Sequence, residues 1–183
     1  MSGEQQLCEE FLRACGKFDK EKRLARAELG RATALFAQFS SEALVNFADE
    51  DGWTALHHAS GEGHLAVLEW LTTVPSLAID QTDADGCTAL WVAACNDRRE
   101  AVKHLLRHGA DASIRGSPEG EPVTSPALAA RRSRHPGLAD LIDAETELRK
   151  TNAGRLAKQR SREMSAEEFR DSMRGVLKQT EPF

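Results

Sequence analysis

The sequence predicts an all-α fold, a solenoid of helix-turn-helix units joined by short hairpin loops, and two observations support it. The segment DGWTALHHA at residues 51–59 returns 34 residues later as DGCTALWVA at residues 85–93. Behind each copy, apolar residues recur at spacings of three and four, which is the period of a buried helical face. A fixed period of this length is typical of stacked units, none of which buries its apolar face alone.

Each repeated segment predicts a pair of helices with recognisable ends. Thr54 precedes the apolar run and is placed to cap the first turn. Gly63 is expected to end this helix with a positive φ, and Asp97 takes the equivalent place in the next unit. Residues 65–71 then carry leucine at every third position, which predicts the second helix.

The repeated segment resembles the ankyrin repeat. The resemblance rests on residues 51–57 with the Gly63-His64 pair, and on residues 85–90 with Leu105, Leu106 and residues 109–111. It implies a scaffold that binds other proteins and rarely performs chemistry, in which Thr54 and His57 join neighbouring backbone groups. Trp91 stands where the other unit has His57, so we expect the Thr–His hydrogen bonding to be lost there and Trp91 to serve packing.

We expect three segments along the chain. They are an N-terminal helix at residues 1–18, a repeat domain at 19–150, and a basic linker with an amphipathic helix at 151–183. The repeats are placed at about 19–48, 49–82, 83–116 and 117–146, the first and last of them degenerate. Helices at 19–29 and 31–39 are predicted for the first repeat, and Leu7, Phe11 and Cys15 form a stripe expected to lie over it.

The composition predicts a chain of the cytoplasm, with the nucleus or a larger assembly as alternatives. Hydrophobic residues make up 40% and charged residues 29%, and no apolar stretch approaches the roughly 20 residues of a membrane span. The first residues show no signal-peptide pattern. Cys8, Cys15, Cys87 and Cys95 form no CxxC pair, and buried thiols are expected for all but Cys87.

No combination of residues predicts an enzyme, a cofactor or a metal site. The chain has no phosphate-binding glycine loop, no HExxH motif and no Cys/His set at zinc spacing. His57 and His64 have structural places in the ankyrin pattern. His104 and His108 are four apart on a predicted helix, but no third ligand lies near them in the sequence.

Charge is divided along the chain, whose formal net charge is −5. Residues 49–119 carry 12 acidic and 5 basic side chains, whereas residues 120–162 carry 5 acidic and 9 basic ones. The first region should attract basic partners and the second anionic ones. The acidic hairpin residues (Asp49, Glu50, Asp51, Asp83 and Asp85) have two interpretations, binding a basic partner segment or shaping the turns.

The resemblance implies a partner surface made of the hairpin tips and the exposed side of each first helix. Trp53 is either an anchor for a partner or a residue that packs against a neighbouring hairpin. The candidate contacts on this concave face are Glu50, Asp51, Trp53, His58, Asp85, Cys87 and Val92.

A second contact is predicted beyond residue 151. Phe169, Met173, Val176 and Leu177 share one helical stripe, which either folds back on the repeats or docks on another subunit.

The sequence thus predicts a non-enzymatic interaction module, an adaptor or an architectural subunit. The alternatives are an RNA-associated subunit attached through residues 131–162 and a subunit that regulates or inhibits an enzyme. Nucleic acid is the less favoured partner, because aromatic residues do not accompany the basic run.

Overall fold

The computed structural model describes residues 8–12, 15, 30, 33–34, 42–118, 122–152 and 155. The chain divides into two compact units, residues 1–143 and 144–183, the first of which ends somewhat before the predicted boundary at residue 150. The following predicted features lie outside the described residues: the helix over 19–29, most of the helix over 31–39, and the stripe of Phe169, Met173, Val176 and Leu177.

The all-α prediction is confirmed. The helices are α1 (Glu42–Val45), α2 (Ala55–Glu62), α3 (Leu65–Leu71), α4 (Ala89–Cys95), α5 (Arg99–Arg107), α6 (Pro126–Arg132) and α7 (136–152). Among the described residues, extended pairing is limited to isolated bridges that close three hairpins: Ala48 with Thr54, Thr82 with Thr88, and Gly116 with Thr124. No helix in this described part is long and apolar enough to cross a bilayer.

The repeats stack through their helices. The first helices α2, α4 and α6 pack side by side in chain order, and the second helices α3 and α5 pack behind them. Ala59, Ala93 and Ala94 are fully buried, so these helices approach closely. Leucines from both layers fill one continuous core. At its N-terminal side Phe11 and Cys15 are buried, and Phe11 meets the ring of Trp70 edge-on at 6.0 Å. This contact is with the second repeat; Leu7 and most of the first repeat, over which the stripe was expected to lie, are outside the described residues.

A buried side-chain hydrogen bond joins the second repeat to the third. The Thr54 backbone N–H donates to His57 Nδ1, so His57 Nε2 carries the proton and donates to the Cys87 carbonyl at 3.1 Å. Cys87 directly precedes Thr88, the N-cap of α4. The same carbonyl accepts the Asp83 N–H within its own hairpin at 2.9 Å, so the 1% exposed His57 supplies its second hydrogen bond and ties this hairpin to the preceding repeat.

Trp91 makes the equivalent bond in the next repeat. Its indole Nε1–H donates to the Thr124 carbonyl at 3.1 Å, and Thr124 directly precedes the N-cap Ser125 of α6. The Thr–His side-chain bond is absent there, as expected, but the link between repeats is kept by a different donor. Leu128 occupies the same position in α6, has no donor to offer and is 44% exposed.

The turn between the two helices of a repeat needs a left-handed residue. Gly63 has φ 77° and Asp97 has φ 53°, which confirms the prediction for both positions. Arg134 takes the same conformation, with φ 69°, in the fourth repeat. Each left-handed residue is followed by an N–H that donates to a carbonyl of the preceding helix, at 2.8 to 2.9 Å. One turn geometry thus recurs three times, twice without glycine.

We expect Arg134→Gly to raise the free energy of unfolding by about 0.5–1 kcal/mol, because glycine adopts a positive φ without a Cβ conflict. Urea denaturation followed by circular dichroism measures the change. The matched opposite variant is Gly63→Ala, whose Cβ would lie 3.0 Å from Arg98 Cδ and which should destabilise the chain. A lower midpoint for Arg134→Gly would contradict the assignment of a left-handed turn there.

Candidate protein-binding surface

Aspartate side chains shape the tips of the first two hairpins. Asp49 Oδ1 accepts the backbone N–H groups of Trp53 at 2.7 Å and Asp51 at 3.2 Å. Asp83 makes the same two bonds in the next hairpin, at 2.8 and 3.0 Å. For Asp49 and Asp83 the turn-shaping interpretation is therefore correct, because side-chain acceptors of this kind stabilise tight turns.

Successive hairpins are joined through their backbones. The N–H of Ala84 donates to the Asp51 carbonyl at 3.1 Å, and the N–H of Ser117 donates to the Asp85 carbonyl at 2.9 Å. Gly52 permits the first contact, since a Cβ at this position would lie only 2.7 Å from the Ala84 nitrogen. Asp51 and Asp85 consequently hold equivalent places one repeat apart, and both are exposed.

Trp53 and His58 form an aromatic pair beside the first hairpin. Their ring centroids lie 5.1 Å apart with the planes at 55°. His58 Nε2 lies 3.0 Å from Asp49 Oδ2, so one carboxylate fixes both the hairpin and the imidazole. Both rings are half-buried, which leaves part of each available to a partner.

An apolar cluster supports this aromatic pair from below. Cys87, Trp91, Val92 and Ala129 form its buried part, and Trp53 and Cys95 pack at its edge. Gly61 permits this contact, because a Cβ there would lie 3.2 Å from Val92 Cγ1 and 3.7 Å from Trp53 Cζ3. Trp53 therefore packs within the protein and also keeps an exposed part. Its role as an anchor for a partner stays a prediction.

The structure divides the predicted contacts of the concave face into three groups. Glu50, Asp51 and Asp85 are exposed, and Trp53 and His58 are half-buried. Cys87 and Val92 are only 2% and 4% exposed. We correct the expectation for these two residues, since the next repeat covers them and they support the surface instead of forming it. Burial also raises the pKa of the Cys87 thiol to about 12, with help from the Asp83 and Asp85 carboxylates.

The four cysteines, all of them among the described residues, form no disulfide. Cys15 is buried, and burial raises the pKa of its thiol to about 12. Cys8 and Cys95 are half-buried, so the expectation of buried thiols holds fully for Cys15 only. Cys95 Sγ lies 3.3 Å from Ser133 Oγ, a contact between two repeats.

The described residues contain no group of three His, Cys, Asp or Glu side chains that could hold a metal ion. The rings of His104 and His108 stack with centroids 4.2 Å apart. His104 Nε2 is bonded to Thr72 Oγ1 at 2.9 Å, and His108 Nδ1 donates to the His104 carbonyl. His104 thus joins α5 to Thr72 at the end of α3, and His108 bonds at the end of α5 itself.

Two basic residues of the described stretch, Arg131 and Lys150, are paired with carboxylates. Arg131 reaches Asp140 at 3.1 Å and Asp143 at 2.7 Å. Lys150 reaches Glu147 at 2.8 Å. Exposed pairs of this kind contribute little stability, but they reduce the positive potential that a phosphate would meet.

The comparisons with known proteins agree with the repeat geometry. A family model described as ankyrin repeats, in three copies, matches residues 5–116. Ankyrin repeat and SAM domain-containing protein 6 of Mus musculus is 37% identical over 71 residues, 39% of this chain and 8% of that protein. Alpha-latroinsectotoxin-Lt1a of Latrodectus tredecimguttatus is 33% identical over 73 residues, 40% of this chain and 5% of the toxin.

A third relative is ankyrin repeat and SOCS box protein 2 of Bos taurus, which is 31% identical over 81 residues. The match covers 44% of this chain and 13% of the relative. All three similarities thus span a small part of much longer proteins.

We expect the free energy of unfolding to fall as the pH drops below about 6.5, the ordinary pKa of histidine. Burial lowers the pKa values of His57, His64 and His104, so the folded chain binds fewer protons than the unfolded one. The stability from these neutral rings is full above this pH and is lost below it. Urea midpoints at pH 7.5 and 5.5 measure the loss, and His57→Gln should reduce the difference. An equal difference in the variant would exclude His57 as a contributor.

We expect Trp53→Ala to lower the free energy of unfolding by about 1–2 kcal/mol, less than for a fully buried tryptophan. The lost contacts are those with His58 and with the apolar cluster. Chemical denaturation measures the change, with Trp53→Phe as the variant that keeps most of the packing. An unchanged midpoint for Trp53→Ala would mean that the ring serves partners alone.

Proposed function

The chain belongs to the ankyrin-repeat family, and from this premise we propose that it is a non-enzymatic binding subunit, an adaptor or an architectural component of a larger complex. Ankyrin repeats generally mediate protein–protein interaction. The observation that carries the proposal is the exposed group of Glu50, Asp51 and Asp85 beside the half-buried aromatic pair. Acidic side chains around a partly open aromatic ring suit a partner segment that is both basic and able to cover apolar surface.

The partner proposed for the concave face is a protein with a basic segment. No described residue forms a side-chain hydrogen bond or an ion pair with the carboxylates of Glu50, Asp51 or Asp85. Their charge is therefore available to a partner, whereas Asp49 and Asp83 are engaged within the hairpins. Complementary charges of this kind mainly set specificity and the rate of association.

We propose a second protein contact through residues 151–183, which carry the stripe of Phe169, Met173, Val176 and Leu177. The support is the sequence pattern alone, a short amphipathic helix after a polar linker. We also propose a reducing compartment such as the cytoplasm, because the four cysteines form no disulfide.

The ion pairs formed by two residues of the basic stretch favour a protein partner over RNA. Arg131 lies between two carboxylates, and Lys150 is paired with Glu147. Phosphate contacts would require these side chains to leave their partners.

We expect the variant carrying Glu50→Gln, Asp51→Asn and Asp85→Asn to lose the proteins that the wild-type chain retains in affinity purification. Quantitative mass spectrometry compares the two at 50 and 150 mM salt, with and without nuclease treatment. The matched control is Glu69→Gln, an exposed acidic residue of α3, which should retain the wild-type set. The same set with all three chains would contradict the proposed surface, and loss of the set on nuclease treatment would favour the RNA alternative.

A further inference from the structure

The concave face presents two kinds of surface in contact with each other. The acidic rim consists of Glu50, Asp51 and Asp85, and the aromatic pair consists of Trp53 and His58. Asp49 connects them, because it binds the Trp53 N–H through one oxygen and His58 Nε2 through the other. A segment lying along the rim therefore also meets the aromatic rings.

The spacing of the rim carboxylates is inferred from the stacking of the repeats. Asp51 and Asp85 are equivalent residues of hairpins joined by the bond from the Ala84 N–H to the Asp51 carbonyl. Their helices α2 and α4 pack side by side, and packed helices lie about 8–10 Å apart. We take this interaxial distance as the step between the two residues along the stack.

We propose that the partner segment binds as a polyproline II helix with two basic residues three positions apart, one for Asp51 and one for Asp85. The inference rests on the proposed function and adds the conformation and spacing of the ligand. Polyproline II has three residues per turn and a rise of about 3.1 Å, so side chains three apart share a face at about 9 Å.

Other backbone conformations fit this step less well. In a β-strand, residues two apart share a face at about 7 Å, and residues three apart point to opposite faces. An α-helix matches the step only with residues seven apart, about 10 Å along its axis. The aromatic pair decides between the remaining two, because polyproline II segments dock on aromatic-lined surfaces.

The experiment uses synthetic proline-rich peptides, each with two arginines separated by one, two or four prolines. Prolines added at the ends give these peptides the same composition. An alanine-rich peptide with arginines seven apart tests the helical alternative. Dissociation constants come from NMR titration of the full chain at low salt. We expect the two-proline peptide to bind at least threefold more tightly than the others, the size of effect that one exposed ion pair supplies.

Variants of the rim separate this proposal from the broader one. Asp85→Asn should remove the preference for the two-proline peptide, and Glu69→Gln, on α3, should leave it unchanged. If all peptides bound equally, and if Asp51→Asn and Asp85→Asn weakened each of them to the same extent, the proposed spacing would be overturned. The proposal of a basic partner would then stand. Tighter binding of the alanine-rich peptide would overturn the polyproline conformation. Binding of no peptide would overturn both the spacing and the basic partner.

Discussion

The stack of repeats depends on one hydrogen bond, made by a buried donor to the carbonyl that precedes the next repeat's N-cap. His57 supplies the donor in one repeat and Trp91 in the next. Each carbonyl also accepts a backbone N–H of its own hairpin, from Asp83 or Gly116, so the side chain adds a second bond that crosses between repeats. A buried hydrogen bond of this kind contributes about 0.5–1.5 kcal/mol and helps to fix where the following hairpin lies. The spacing of the exposed carboxylates follows from that position.

His57 and Trp91 show that this position requires a side-chain N–H that reaches the next hairpin. More than one residue type can supply it. Imidazole and indole are both planar, and each places one N–H far from the backbone. His57 must stay neutral to serve, because its Nδ1 accepts a hydrogen bond from the Thr54 N–H and therefore carries no proton. Trp91 has no such requirement, and its larger ring also fills the apolar cluster under Trp53.

The sequence predicted the all-α stack well, because the period, the capping Thr54 and the left-handed Gly63 each act locally. It predicted the surface less well. Five acidic tip residues look alike in sequence, yet Asp49 and Asp83 bind backbone N–H groups and the other three face solvent. Which carboxylate closes a turn depends on hairpin geometry, which a one-dimensional pattern does not contain. The left-handed conformation of Arg134 was also not predicted, because arginine, unlike glycine, does not indicate a positive φ in the sequence.

Leu128 has a consequence for how such a chain can grow or shrink by duplication. A copied unit placed between His57 and Trp91 would keep a side-chain N–H that bonds to the hairpin of the next unit. A unit appended behind Leu128 would lack this bond between repeats, because leucine offers no N–H. Changes in the number of repeats are therefore tolerated inside the stack and disfavoured after the fourth repeat. The difference is due to Leu128.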